Sequence, residues 1–138
     1  MSAAAPAVRK EVISTPNAPA ALAAYSQAIR AGNTLYCSGC LGMDKDSGAL
    51  VEGGVEVECE RALVNLRAVL EAGGSSMDNV LKTTVFLTTM DNYAAVNAVY
   101  LKHFTRNPPA RSCFAVAALP KGGLVEIEAV ALVGEASA

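Results

Sequence analysis

"PPARSCFAVAALPKGGLVEIEAVAL", residues 108–132, is among the most apolar stretches of this chain, yet it carries Arg111, Glu126 and Glu128. The turn-forming "LPKGG" divides it into two strands, 111–117 and 124–132. Successive strand residues point to opposite faces of a sheet. In the second strand Val125, Ile127, Ala129, Ala131 and Val133 share one wholly apolar face. Leu124, Glu126, Glu128, Val130 and Leu132 share the other. The first set predicts a face lying under helices and the second a face without them. In the strand before it, Phe114 and Val116 are the bulky apolar residues. If they face the helices, Arg111 and Cys113 fall on the carboxylate side. A charge partly buried there needs a partner. Two readings stay open: an ion pair of Arg111 with Glu126 or Glu128 that fixes an assembly, or an Arg fork aimed at a small carboxylate ligand.

Outward from this stretch the periods change. Val55, Cys59, Ala62, Leu63, Leu66, Val69 and Leu70 recur at spacings of three and four, one apolar face of a helix that Gly73 and Gly74 end. "VLKTTVFLTT", residues 80–89, is rich in β-branched residues and reads as a strand. Asp91 is placed to cap a second helix, whose predicted apolar face is Tyr93, Val96, Val99, Tyr100 and Phe104 and which Asn107 to Pro109 stop. "YSQAIRA" (25–31) and "TLYCSGCLG" (34–42) flank a Gly-Asn turn and read as a hairpin, after a short apolar piece at Val12 and Ile13. The order is β-β-β-α-β-α-β-β, an α+β pattern with one mixed sheet of about six strands. Two helices cover only one face of it.

The totals agree with this outline. A chain of 138 residues fits one domain, 1–138, able to bury about two-thirds of its unfolded surface. Apolar residues make up 52% and charged residues only 17%, which predicts self-association to hide the uncovered face. The net charge is −2, the pI is about 5.3, and the basic residues form no run, so nucleic-acid binding is not expected. No apolar run approaches the roughly 20 residues of a membrane span. "MSAAAPAVRKEV" has two basic residues but no apolar core behind them and reads as a frayed cytoplasmic terminus, with a short mitochondrial leader as the alternative.

Three other signals carry less. Cys37, Cys40, Cys59 and Cys113 read as free thiols in a reducing compartment. The C-S-G-C spacing suggests a redox pair, but in a strand residues three apart point to opposite faces, too far apart for a disulfide unless Gly39 kinks the chain. His103, the single histidine, sits at a helix end where a dipole contact accounts for it. No second histidine exists to build a metal site or a two-histidine ribonuclease.

The segments "ISTPNAPAALAAYSQAI", "YCSGCLGMD", "NVLKTTVFLTTMDNYAAVNAVY" and "PPARSCFAVAALPKGGLVEIEAVA" fall in one order along nearly the whole chain. In this they resemble the RidA/YjgF family, also called L-PSP or reactive-intermediate deaminases. The resemblance implies a chorismate-mutase-like fold, a homotrimer with sites between subunits, and no metal or organic cofactor. It implies hydrolysis of 2-imino acids and their enamine tautomers, products of PLP-dependent dehydratases, to 2-keto acids and ammonia. Arg111 would bind the substrate carboxylate and Glu126 would orient or activate water. Cys113 would contribute its backbone at the imine nitrogen, and Tyr25, Gly39 and Asn97 would line the pocket. Glu128 would be structural. Ala23 and Ala24 stand where many members have Gly-Pro, and Cys40 where many have Gln; these departures bear on side-chain preference more than on reaction class. The alternatives are an endoribonuclease acting on single-stranded RNA, an activity also attached to the family, and a chaperone-like or regulatory binding protein using the same trimer.

Overall fold

A computed structural model describes residues 7–134. The first six residues, where part of the frayed terminus was expected, lie outside that range. Six strands form one sheet: β1 (Lys10–Ile13), β2 (Ala28–Ala31), β3 (Thr34–Leu41), β4 (Val80–Leu87), β5 (Ala110–Ala115) and β6 (Val125–Leu132). Two helices, α1 (Val55–Ala72) and α2 (Tyr93–His103), pack on it. The order across the sheet is β1-β2-β3-β6-β4-β5. All neighbours are antiparallel except β4 and β5, which run parallel and are joined through α2. A parallel pair needs such a crossover, because the end of one strand and the start of the next lie at opposite ends of the strands.

The core lies between the helices and one sheet face. Cys59, Ala62, Leu63, Leu66, Val69 and Leu70 of α1 are buried, as their spacing predicts. With Val125, Ile127, Ala129 and Ala131 of β6 and Val85 and Leu87 of β4 they form one buried cluster, and Thr83 of β4 is buried beside Tyr100 of α2. Gly73 follows α1 where a β-carbon would strike Leu35 of β3, so the helix ends on a residue without one. Two polar groups tie this layer down from within. Asn65 donates to the carbonyls of Leu41 and Met43, and Glu58 accepts from the Leu124 amide at 2.9 Å. Each satisfies backbone that burial would otherwise leave unpaired.

The other face carries the even-numbered residues of β6 with Tyr36, Thr84, Phe86, Ser112 and Phe114. Tyr36 and Phe114 are about half exposed, and Glu126 and Glu128 stand among them. The prediction for β6 therefore holds residue by residue. That for β5 is reversed. Arg111 pairs with Thr83 and Cys113 with Val85, residues of the helix-covered face, while Phe114 pairs with Phe86 on the open one. Phe114 finds its aromatic partner there, at 5.3 Å and 89°. An edge-to-face contact of this kind offsets exposure of the ring.

Two local readings also change. Asp91 does not cap α2. A 3₁₀ turn at Met90–Asn92 precedes the helix, and the Thr89 hydroxyl accepts from the Asp91 amide. In β3 a bulge falls between Cys37, which pairs with Ala129, and Cys40, which pairs with Ile127. The extra residue places both cysteines opposite β6 residues of the covered face, where strict alternation separated them.

Candidate active site

Arg111 stands near the start of β5, at the sheet edge, and its side chain reaches α2. Nη1 donates to Asn97 Oδ1 at 2.8 Å and Nη2 donates to the Tyr93 phenol oxygen at 3.1 Å. Its Cζ lies 4.9 Å from the Tyr100 ring centroid and 5.6 Å from that of Tyr93. Residues 93, 97 and 100 follow helical spacing, so one face of α2 presents all three to the cation. Tyr100 is itself fixed, its hydroxyl 2.7 Å from Thr83 Oγ1 in the core. Among the described residues no ion pair within 4.0 Å includes Arg111. The cation is thus held by a neutral amide, a phenol and two ring faces. Two of its five N–H groups are used in the hydrogen bonds.

Of the two readings for Arg111, the ion pair with Glu126 or Glu128 is not made among the described residues of one chain, for a topological reason. Arg111 is level with Thr83 and so with Ala129, three residues from Glu126 on β6. That is roughly 10 Å along the strand and roughly 10 Å across two strand spacings. The two side chains also leave opposite faces of the sheet. Cys113 lies on the Arg111 side, half-buried. Burial pushes its thiol up, with Arg111 pulling the other way, which keeps the sulfur protonated and weakly nucleophilic.

Glu126 belongs to a second cluster. Its carboxyl is raised above the ordinary carboxylate range, first by burial and then by the neighbouring Glu128 charge. The side chain lies over Gly39, where a β-carbon would overlap its carboxyl group and crowd its Cγ at 2.9 Å. Gly39 sits in the β3 bulge. Ser38 beside it donates from its amide to the Gln27 carbonyl at 3.0 Å and from its hydroxyl to the Ser26 carbonyl at 2.6 Å. These bonds draw the 25–27 segment against the bulge, where Tyr25 and Gly39 border a cavity of about 60 Å³ that also meets Cys40. Tyr25 precedes β2 and is half exposed. Gln27 anchors the loop before it, accepting from the Thr15 amide at 2.7 Å and donating to the Pro19 carbonyl at 2.8 Å.

The six predicted site residues therefore separate into two groups. Arg111, Asn97 and Cys113 form one; in the other, Gly39 links Glu126, whose side chain lies over it, to Tyr25, with which it shares a cavity. The sequence reading missed the part of Tyr93, having assigned it to the α2 core face; it is 39% exposed and meets Arg111 instead. Gly39→Ala is expected to displace the Glu126 carboxyl and lower kcat/KM by about a hundredfold, the cost of a misplacement near 1 Å. The melting temperature should change far less, since the displaced group is the end of a side chain. Paired kinetic and thermal measurements check this.

His103 is outside both groups. Its Nε2 is 2.7 Å from Glu60 Oε2 and its Nδ1 3.2 Å from Arg67 Nη2, so it bridges the two helices. Cys37, Cys40 and Cys59 are free, and burial pushes each thiol up to about 12. No group of His, Cys, Asp or Glu among the described residues could hold a metal ion. None of the described helices is long and apolar enough to cross a membrane.

The α+β layer thus presents at one edge a guanidinium that forms no ion pair among the described residues and on its far face a carboxyl of raised pKa. Residues 15–133 match the family model described as endoribonuclease L-PSP, and the chain belongs to that family. It is 51% identical to the RutC family protein UK114 of Drosophila melanogaster over 91% of either chain. It is 50% identical, over 91% of either chain, to a Rattus norvegicus protein named 2-iminobutanoate/2-iminopropanoate deaminase. The crystal structure of RidA from the Antarctic bacterium Psychrobacter sp. PAMC 21119 superposes with a TM-score of 0.86 at 42% identity, covering 89% of this chain and 99% of that one. The family and the fold expected from the sequence are both borne out.

Proposed function

We propose that this protein hydrolyses 2-imino acids, such as 2-iminobutanoate and 2-iminopropanoate, to 2-keto acids and ammonia. The observation that carries the reading is Arg111: a half-buried guanidinium clamped by Asn97 and Tyr93, with no carboxylate beside it among the described residues. Burying a cation without a counter-ion costs free energy. An arriving substrate carboxylate offsets that cost and gains bidentate hydrogen bonds. The name of the rat relative supports the same substrate class.

In the reaction, Arg111 holds the carboxylate and places C2. Glu126 takes a proton from water as the oxygen adds to C2 of the iminium, giving a carbinolamine. It returns that proton to the nitrogen; the C–N bond then breaks as the hydroxyl oxygen forms the C=O and gives its proton to Glu126, which passes it to the departing ammonia, leaving the 2-keto acid and ammonium. A carboxyl whose pKa is raised by burial, and then by the Glu128 charge, holds a proton more readily than an ordinary glutamate, which suits its return to the nitrogen. Because Arg111 and Glu126 leave opposite faces of one sheet, the site closes only if Glu126 comes from a second copy. The exposed Tyr36 and Phe114 on the open face give such copies a surface to bury, and a homotrimer is the assembly we assign. The four free thiols fit a reducing compartment such as the cytoplasm.

The test supplies 2-iminobutanoate generated in situ from an amino acid and follows semicarbazone or ammonia formation. Wild type should shorten the imine's lifetime and Arg111→Ala should not. If neither protein shortens it, the reading is wrong. RNA cleavage that survives Arg111→Ala and stringent purification would instead assign an endoribonuclease, and protection of unfolding proteins alone a chaperone-like role.

A further inference from the structure

Three side chains of α2 touch the Arg111 cation, and their own polar groups stand in different states. The Tyr100 hydroxyl is 2.7 Å from Thr83 Oγ1 inside the core. The Asn97 carbonyl oxygen takes Nη1. The Tyr93 oxygen takes Nη2, and since guanidinium can only donate, the phenol accepts in that bond. Its own O–H proton is therefore free, and among the described residues it donates to nothing. The ring is 39% exposed, at the first residue of α2, so this hydroxyl stands where the guanidinium meets solvent.

We propose that Tyr93 is a second carboxylate-binding residue: its hydroxyl accepts from Arg111 and donates to the same substrate carboxylate. The inference rests on the deaminase reading, in which Arg111 receives the substrate's acid group. The adjacent cation polarises the phenol and strengthens it as a donor, as charge strengthens hydrogen bonds generally. The Tyr93 ring and Asn97 hold the guanidinium plane without the hydroxyl, so removing the hydroxyl alone takes away binding and not placement. Because the contact goes to a group that does not react, it is made equally in the ground and transition states. Its loss belongs in KM and leaves kcat nearly unchanged.

The probe is 2-oxobutanoate, the stable product, titrated calorimetrically into wild type, Tyr93→Phe and Arg111→Ala, with its uncharged methyl ester as a second ligand. Phenylalanine keeps the ring under the cation and removes only the hydroxyl. Tyr93→Phe should weaken 2-oxobutanoate about tenfold, the effect of one hydrogen bond to a charged group, and leave the ester's affinity unchanged. KM for the imine should rise by the same factor. Equal affinity of Tyr93→Phe and wild type for the acid, with Arg111→Ala defective, overturns this role and leaves the deaminase reading standing. Equal weakening of acid and ester also overturns it, since the hydroxyl would then serve only packing. Equal binding by all three proteins overturns both, because Arg111 would not be where the acid binds.

Discussion

Arg111→Ala should lower kcat/KM for 2-iminobutanoate by about a thousandfold, or ~4 kcal/mol, the cost of truncating one partner of a buried, hydrogen-bonded charge pair. The loss has two sources. The substrate carboxylate loses its fork, and C2 is no longer placed against the water. KM should rise and kcat should fall. Arg111→Lys is expected to recover little, although it keeps the charge. An ammonium is a point donor that cannot hold Asn97 Oδ1, the Tyr93 oxygen and a carboxylate in one plane, and it stacks less well on Tyr100. Folding should survive either change. The cation has no counter-ion among the described residues, so its removal strands only neutral groups near solvent. Steady-state kinetics with circular dichroism on the same samples would separate lost binding from lost structure.

Glu126→Gln should act on the other parameter. Loss of a general base costs on the order of a hundredfold to ten-thousandfold, and it should appear in kcat with KM nearly unchanged. The pH dependence is the sharper readout. Burial and then the Glu128 charge raise the Glu126 carboxyl, so activity that needs its ionised form should fall on acidification at a pH above the ordinary glutamate range. Glu128→Gln removes one of the two causes and should move that acid limb to lower pH. Glu126→Gln should abolish the limb along with most of the rate. Stability runs the opposite way. The folded carboxyl binds its proton more tightly than the unfolded one, so this group lowers stability as pH rises from its unfolded to its folded pKa. Glu126→Gln should therefore not destabilise the protein at neutral pH, and a variant that unfolds would contradict the assignment.

How much could be read from residues alone depends on where each element's phase is set. The face of α1 is written in its own sequence, because seven apolar positions at helical spacing leave one solution. So is that of β6, where five apolar residues alternate with two glutamates. In β5, "RSCFAVA" offers two nearly equal sets, and the size of Phe114 favours the wrong one. Its phase comes from β4, whose Thr83, Val85 and Leu87 lie under the helices and carry Arg111, Cys113 and Ala115 with them in parallel register. An edge strand borrows its orientation from a neighbour, and no window within it contains that information. The β3 bulge left a single trace, Gly39, which serves equally as the bulged position and as space for the Glu126 side chain. Tyr93 was missed because an aromatic at helical spacing next to Val96 and Tyr100 looks like core. Only the position of Arg111 shows that the helix face turns from apolar contact to polar clamp along its length.

The cysteines buried on either side of the core, Cys37 of β3 and Cys59 of α1, have a practical consequence. With Cys37 and Cys59 held as neutral thiols by burial, alkylating reagents at neutral pH can reach and capture them efficiently only when the sheet parts from α1. The rate of labelling at these sulfurs is thus a clock for breathing of the layer, ticking without any probe having to be introduced.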